Sequence, residues 1–252
     1  MMIRRSIHTF MNALTSSDWT AYPFASQNRK DFNNLLDVYL DAVFFSRLDP
    51  LDFAQEGHRV EFEEANNSDS ALVYKGVVFN EMKGAMSSVT SQLWQTICKY
   101  LYPTTTYHHN SGGDPESITD LTYEQLKHFY KTHYHPSNAI FMTYGNITAK
   151  EHQEKFEAQA LHRFEKLDEK IFVPAEKRYQ APIRIEEYYP YENEENNEDQ
   201  NEKHAEENQK ELASTSKEND VKNKTHIVMG WLLGKTTNLT EALEAQLVAS
   251  VL

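Results

Sequence analysis

The feature that most constrains the fold of this chain is an acidic, low-complexity tract at residues 192–223, ENEENNEDQNEKHAEENQKELASTSKENDVKN. It contains eleven acidic and four basic residues and almost no apolar side chains. Such a segment cannot bury enough apolar surface to offset the entropy cost of becoming ordered. We therefore expect a disordered linker or surface insertion between residues 1–191 and residues 224–252.

The same tract explains much of the net charge. The 252 residues carry a formal charge of −13, of which the tract contributes −7. The remaining −6 is ordinary for a soluble domain, and the acidic balance argues against nucleic acid as a partner. The sequence has no apolar run of membrane-spanning length and no apolar stretch typical of a secretion signal, so no membrane association is expected. Its one cysteine, Cys98, excludes an intrachain disulfide.

Helical and strand patterns alternate outside the tract. Apolar spacing predicts helices at residues 30–47, 88–101, 123–134, 148–164 and 239–252, with Thr122 and Thr148 as caps. Strand patterns occur at residues 58–64, 138–145, 183–189 and 226–234. The run Val77-Val78-Phe79 fits either type. This mixture predicts an α+β fold.

Glu81 is the most informative carboxylate. It lies in GVVFNEMKGAMSS, two residues after the apolar run Val77-Val78-Phe79. The sequence period leaves three roles open for this side chain: a solvated helix residue, a buried structural acid or a metal ligand.

The histidines give no zinc motif by their spacing alone. The pairs His108-His109 and His133-x-His135 do not match the i, i+4 pair with which a helix binds zinc. We interpret them as turn and packing residues. The sequence contains no H-x-x-E-H, no H-E-x-x-H, no G-x-S-x-G and no phosphate-binding glycine motif.

Longer blocks are more specific than these motifs. In chain order they are FMNALTSSDWTAYPFAS, KDFNNLLDVYLDAVFFSRL, DFAQEGHRVEF, YKGVVFNEMKGAMSS and YHHNSGGDPESITDLTYEQLKHFYKTHYHPSNAIFMTYGNI. Together they resemble the presequence-protease branch of the inverted-zincin (pitrilysin/insulinase) metallopeptidases. The resemblance is strong over residues 1–190 and weak over 225–252. It implies an α/β roll of the metallopeptidase half-domain type, with a mostly antiparallel sheet packed with helices on one face.

The resemblance also implies a zinc site. In this family an H-x-x-E-H helix supplies two histidine ligands and a general base, and a V-x-N-E-M-K-G segment supplies the third ligand. Glu81 occupies the matching position here. Since the H-x-x-E-H segment is not in this sequence, we expect Glu81 to be an unpaired or protonated carboxylate in this chain rather than a zinc-bound one, and the chain alone to be inactive.

These observations predict a fragment of a zinc metalloendopeptidase that degrades unstructured peptides. Residues 1–191 would be a first half-domain that lacks its N-terminal part, and residues 224–252 would begin a second, truncated one. The remaining peptidase half would be needed to close the cleft. The alternative is a non-catalytic subunit or peptide-binding module on the same scaffold.

The resemblance further implies a substrate strand. Asn12, Ala13, Leu14 and Thr15 match the cleft-lining strand, which pairs with an extended peptide by strand addition. An alternative is that this strand only supports the core. The loop Asn110–Gly113 resembles one near the cleft, although its glycines are more simply explained by turn geometry. Family members occur in bacteria and organelles, so the compartment, cytoplasm or organellar matrix, is left open.

Overall fold

A computed structural model describes residues 5–168, 170–190 and 225–251. Helices and small antiparallel sheets are mixed along the chain, which confirms the α+β class. The chain divides into two compact units, one up to Glu176 and one from Lys177. The half-domain boundaries and the roll arrangement stay predictions, and the acidic tract at 192–223 lies outside the described residues.

Helices dominate the described part of the chain. They are α1 (Arg29–Phe44), α2 (Pro50–Asp52), α3 (Val77–Ala85), α4 (Val89–Leu101), α5 (Pro115–Ile118), α6 (Tyr123–His133), α7 (Ala149–Gln159) and α8 (Leu239–Val251). A π-helical turn, Phe53–Gly57, follows α2 directly. Short 3₁₀ turns lie at Thr106–His108, Pro136–Asn138 and Leu161–Arg163.

The strands of the described residues form three antiparallel pairs. They are β1 (Phe10–Met11) with β4 (Phe24–Ala25), β2 (Leu14–Thr15) with β3 (Thr20–Ala21), and β5 (Arg59–Phe62) with β6 (Leu72–Lys75). The strand predicted from residue 58 is thus confirmed as β5. On the half-buried face of this pair Glu61 contacts both Arg59 and Lys75, at 2.7 and 2.9 Å, and hydrogen bonds from Lys75 and Arg59 hold the pKa of Glu61 below its usual value.

Side-chain caps fix where the helices begin. The Asn28 side chain accepts from the Asp31 backbone N–H at α1. Thr122 and Gln125 form a reciprocal capping box at α6, and the Thr148 hydroxyl accepts from the Glu151 N–H at α7. Both predicted threonine caps are therefore confirmed, because capping depends only on residues within one helical turn.

The hydrophobic core of the first unit lies between α1 and α7. Leu36, Leu40 and Phe44 from α1 pack with Phe156 and Ala160, and none of these residues is more than 8% exposed. Their spacing of four residues along α1 places them on one helix face. The helix ends at Phe44 rather than at the predicted residue 47, and Leu48 then adopts a positive φ of 48°.

Three predicted strands are wrong as paired elements. Residues 138–145, 183–189 and 226–234 are not assigned to any strand, although each has the expected apolar pattern. Alternation records only which side chains face inward, whereas a strand also needs a neighbour to accept its backbone hydrogen bonds. No described residue supplies that neighbour.

Candidate functional site

Glu81 lies in the middle of α3, and a close backbone approach fixes where this helix begins. Gly76, directly before the helix, is buried against the π-helical turn. A Cβ atom at Gly76 would overlap the carbonyl oxygen of Gly57. Only glycine therefore permits α3 to start at this position.

The inner side of α3 is occupied by Met82, which is buried against Gly112. Its neighbour Glu81 is consequently exposed, together with Val77 at 51% and Val78 at 37%. The buried structural acid, one of the three roles left open, is thus excluded in this structure. The apolar residues before Glu81 face outward with it, because they lie three and four positions earlier on the same helix face.

No described residue completes a metal site with Glu81. A group of three His, Cys, Asp or Glu side chains able to hold a metal ion is absent from the described ranges. A zinc ion in a catalytic site needs three protein ligands and an open position. The residues present thus do not fit bound zinc on their own.

The paired histidines make structural contacts. The His108 Nδ1 lies 3.1 Å from the Lys99 carbonyl oxygen, and the His108 and His109 rings meet edge to face. His133 stacks on Phe129 with ring centroids 4.0 Å apart. His135 accepts a hydrogen bond of 3.1 Å from the Ser137 N–H and caps a 3₁₀ turn. These contacts confirm the interpretation as turn and packing residues.

The predicted substrate segment lies at the base of a hairpin. Leu14 and Thr15 form β2 and pair with Ala21 and Thr20 of β3, while Asn12 and Ala13 precede it; all four residues of the segment are exposed. Among the described residues β2 has a strand on one edge only. No described strand occupies its other edge, and before it the Asn12 carbonyl oxygen accepts from the Tyr39 hydroxyl at 3.3 Å.

The tip of this hairpin is braced by a distant loop. The Thr106 hydroxyl donates to the Ser17 carbonyl oxygen at 2.9 Å, and the Tyr107 hydroxyl donates to the Asp18 carboxylate at 2.5 Å. The hydrogen bond to Asp18, helped by partial burial, raises the pKa of Tyr107 to about 12. Sequence reasoning missed this brace, because its partners are 89 residues apart and belong to no motif.

The other end of the same loop contacts α3. Gly112 lies against Met82, and the Asn110 side chain donates to the Met86 sulfur at 3.4 Å. Asn110 also accepts from the Gly112 N–H, and Gly113 has a φ of 99° that favours glycine. The loop at residues 105–113 thus touches both the hairpin that carries Asn12–Thr15 and the helix that carries Glu81.

Comparison with known proteins identifies the family. Residues 120–252 match the family model described as "Peptidase M16 inactive domain". "Presequence protease, mitochondrial" of Xenopus tropicalis is 53% identical over 181 residues, covering 72% of this chain and 18% of its own length. The Mus musculus protein of the same name is 51% identical over 181 residues, again covering 72% of this chain and 18% of its own length. That of Gibberella zeae is 37% identical over 256 residues, covering 100% of this chain and 22% of its own length.

The chain therefore belongs to the M16 peptidase family, in its presequence-protease branch. It spans about a fifth of the length of these curated relatives. Among the described helices, none is both long and apolar enough to cross a bilayer.

Proposed function

We propose that this chain is one part of a zinc metalloendopeptidase that degrades unstructured peptides. The similarity to proteins called presequence protease, over 72% of the chain, is the observation that carries the proposal. The architecture we propose is the half-domain roll, with residues 1–191 in a first half-domain, 192–223 as a linker or insertion, and 224–252 at the start of a second half-domain.

Glu81 is the proposed zinc ligand of this chain. Glu81 is exposed on α3, so its carboxylate can reach a zinc ion that histidines from another segment also bind. Zinc in the complete site would polarise the scissile carbonyl and activate a water. Since one carboxylate alone does not hold zinc tightly, we assign no catalytic step to this chain and expect it to be inactive by itself.

Asn12, Ala13, Leu14 and Thr15 are the proposed peptide-binding residues. The edge of β2 that no described strand occupies supports this role, because an extended peptide can add to it through backbone hydrogen bonds. The brace of Tyr107 on Asp18 supports it further, since a strand-addition site is most effective when it is held rigid before the peptide arrives.

The proposed partners are peptide substrates and the remaining peptidase half, which would close the cleft. The net charge of −13 disfavours nucleic acid, and we propose no membrane partner. The relatives' names contain the word mitochondrial, which supports an organellar matrix as the compartment.

A peptide-binding module without catalysis is the second candidate. The matching family model is described as an inactive domain, and the described residues hold no three-ligand group. Such a module would bind extended peptides on β2 and leave them intact.

The claim that this chain alone has an incomplete zinc site and is inactive is tested by measuring its zinc content and its cleavage of a peptide. We expect substoichiometric zinc after dialysis and no cleavage of an unstructured peptide. Stoichiometric, tightly bound zinc or zinc-dependent cleavage would show that the site is already complete.

The ligand role requires a longer polypeptide that contains both an H-x-x-E-H helix and this sequence. In that protein Glu81→Gln should remove zinc and cleavage together. The matched control is Glu63→Gln, which changes an exposed carboxylate directly after β5 and should affect neither zinc binding nor cleavage. Retained zinc in Glu81→Gln overturns the ligand assignment, whereas peptide binding without cleavage in the unaltered protein favours the module.

A further inference from the structure

The two strand pairs of the N-terminal hairpin, β1 with β4 and β2 with β3, follow one register without an offset. That register places Asn12, which lies between β1 and β2, opposite Pro23, which lies between β3 and β4. The Asn12 N–H donates to the Pro23 carbonyl oxygen at 3.1 Å, as the register requires. The four short strands thus form one long hairpin, whose ladder is interrupted at Pro23.

Pro23 leaves one acceptor of this hairpin without its usual donor. A hydrogen-bonded pair in an antiparallel ladder normally exchanges two bonds. Proline has no backbone N–H, so Pro23 cannot donate to the Asn12 carbonyl oxygen in return. The Tyr39 hydroxyl donates to that oxygen instead, at 3.3 Å. A side chain of α1 therefore supplies the donor that the opposite strand lacks.

The Tyr39 side chain is held in place by its ring. Tyr39 is half-buried, and its ring centroid lies 4.8 Å from that of Phe24 on β4. Phe24 in turn packs on Phe32 of α1, with centroids 5.1 Å apart, and on the core between α1 and α7. Because these apolar contacts do not involve the hydroxyl, Tyr39→Phe removes the hydrogen bond and keeps the packing.

The register also decides which backbone groups of the segment face its other edge. Asn12 and Ser16 bond toward the opposite strand, through Pro23 and Trp19 respectively. Hydrogen-bonded and non-hydrogen-bonded positions alternate along such a strand, so Ala13 directs its N–H and C=O groups to the other edge. The Asn12 side-chain oxygen accepts from the Ala13 N–H at 2.9 Å, and a peptide pairing there would take its place. The conformation of Asn12 thus governs the backbone groups that a peptide would meet.

We propose that Tyr39 is a positioning residue for the segment Asn12–Thr15. By holding the Asn12 carbonyl oxygen toward the opposite strand, its hydroxyl keeps Ala13 and Thr15 turned toward an incoming peptide. Tyr39 bonds on the inward side of the strand, so it acts through Asn12 and not on the peptide. This inference rests on the proposed peptide-binding role of the segment.

Amide hydrogen exchange of the full chain tests the positioning role without any peptide. In Tyr39→Phe we expect the amides of residues 12–15 to exchange about threefold to tenfold faster, because one hydrogen bond that favours the closed segment is lost. Tyr74→Phe, which removes a hydroxyl from a 48% exposed ring on β6, is the matched control and should leave this exchange unchanged. Circular dichroism verifies that each variant is folded.

Pro23→Ala provides a rescue, because alanine supplies the missing backbone N–H. When it is combined with Tyr39→Phe, the Asn12 carbonyl oxygen regains a donor from the opposite strand, and exchange should return toward that of the unaltered chain. A general loss of stability from the missing hydroxyl would not be reversed at Pro23. Unchanged exchange in Tyr39→Phe, or faster exchange that Pro23→Ala does not reverse, overturns the inference.

Fluorescence anisotropy with a fluorescein-labelled, unstructured Ala/Ser/Thr peptide tests the link to binding, since strand addition uses the peptide backbone. Tyr39→Phe should raise the dissociation constant by about threefold to tenfold, and Pro23→Ala should restore it. An unaltered chain that binds no peptide refutes the proposed peptide-binding role, and the exchange measurement still decides the role of Tyr39. Peptide binding that is equally tight in Tyr39→Phe overturns the positioning inference alone.

Discussion

The hydroxyl of Tyr107 donates a 2.5 Å hydrogen bond to the carboxylate of Asp18 and so joins the loop after α4 to the tip of the β2–β3 hairpin. The carboxylate stabilises the protonated phenol, which raises the pKa of Tyr107 from 10.0 to about 12. Because the pKa is higher in the folded chain, the contribution of this bond to stability is fully present below pH 10. It is lost as the pH rises from 10 through about 12.

Asp18→Asn should lower the pKa of Tyr107 toward its ordinary value, because an amide oxygen is a weaker acceptor than a carboxylate. Ultraviolet titration of tyrosinate absorbance, with Tyr107→Phe to assign the signal, measures this change. The control is Asp69→Asn, a substitution at an exposed loop position outside the brace, which should leave the titration unaltered. An unchanged Tyr107 titration in Asp18→Asn would contradict the brace.

Thr122→Ala should destabilise the chain by about 1 kcal/mol, because it removes the capping box of α6. Thr132→Ala makes the same change inside the same helix, where the hydroxyl only bonds back to the His128 carbonyl. That control should be neutral or slightly stabilising, since alanine is the better helix former. Urea denaturation measures both, and equal effects would show that the cap contributes nothing specific.

Gly76→Ala should destabilise the chain by about 1–3 kcal/mol, because the new methyl group overlaps the Gly57 carbonyl and displaces the start of α3. Gly84→Ala, in the same helix, meets no atom within 4 Å. It should instead stabilise the chain by about 0.5–1 kcal/mol. Opposite shifts of the urea midpoint are expected, and a shift of the same sign in both variants would refute the close approach.

Leu40→Ala should cost about 2–5 kcal/mol, because it opens a cavity between α1 and α7 where Leu40 is only 5% exposed. Val38→Ala shortens a side chain of the same helix that is 41% exposed, and it should cost less than about 1 kcal/mol. Thermal and urea unfolding distinguish the two. If both variants lost similar unfolding free energy, Leu40 would not be part of the hydrophobic core.

Local features of the fold were predictable from the sequence. Thr122 and Thr148 cap their helices as expected, since a cap involves residues only three positions apart. The apolar run at residues 138–145 predicted a strand, but no partner strand forms beside it among the described residues. Pairing is non-local, so an apolar pattern alone does not determine it.

In the candidate site, too, local features were predictable and non-local contacts were not. Family resemblance indicated Glu81 and the segment Asn12–Thr15, whereas residue pattern alone left three roles open for Glu81. The exposure of Glu81 follows from the burial of Met82 against Gly112, a contact across 30 residues that no short window contains. The hydrogen bond between Tyr107 and Asp18 likewise could not be predicted from sequence motifs, because its partners are 89 residues apart.

The loop at residues 105–113 has a consequence for cleavage in the proposed enzyme. At one end Tyr107 donates a hydrogen bond to the hairpin, and at the other end Gly112 packs against Met82 of α3. The loop therefore sets the distance between the β2 edge, which would align a peptide, and the Glu81 carboxylate, which would bind zinc. A change in the number of residues between Tyr107 and Gly112 would therefore alter the spacing of the two proposed sites while leaving both of them intact.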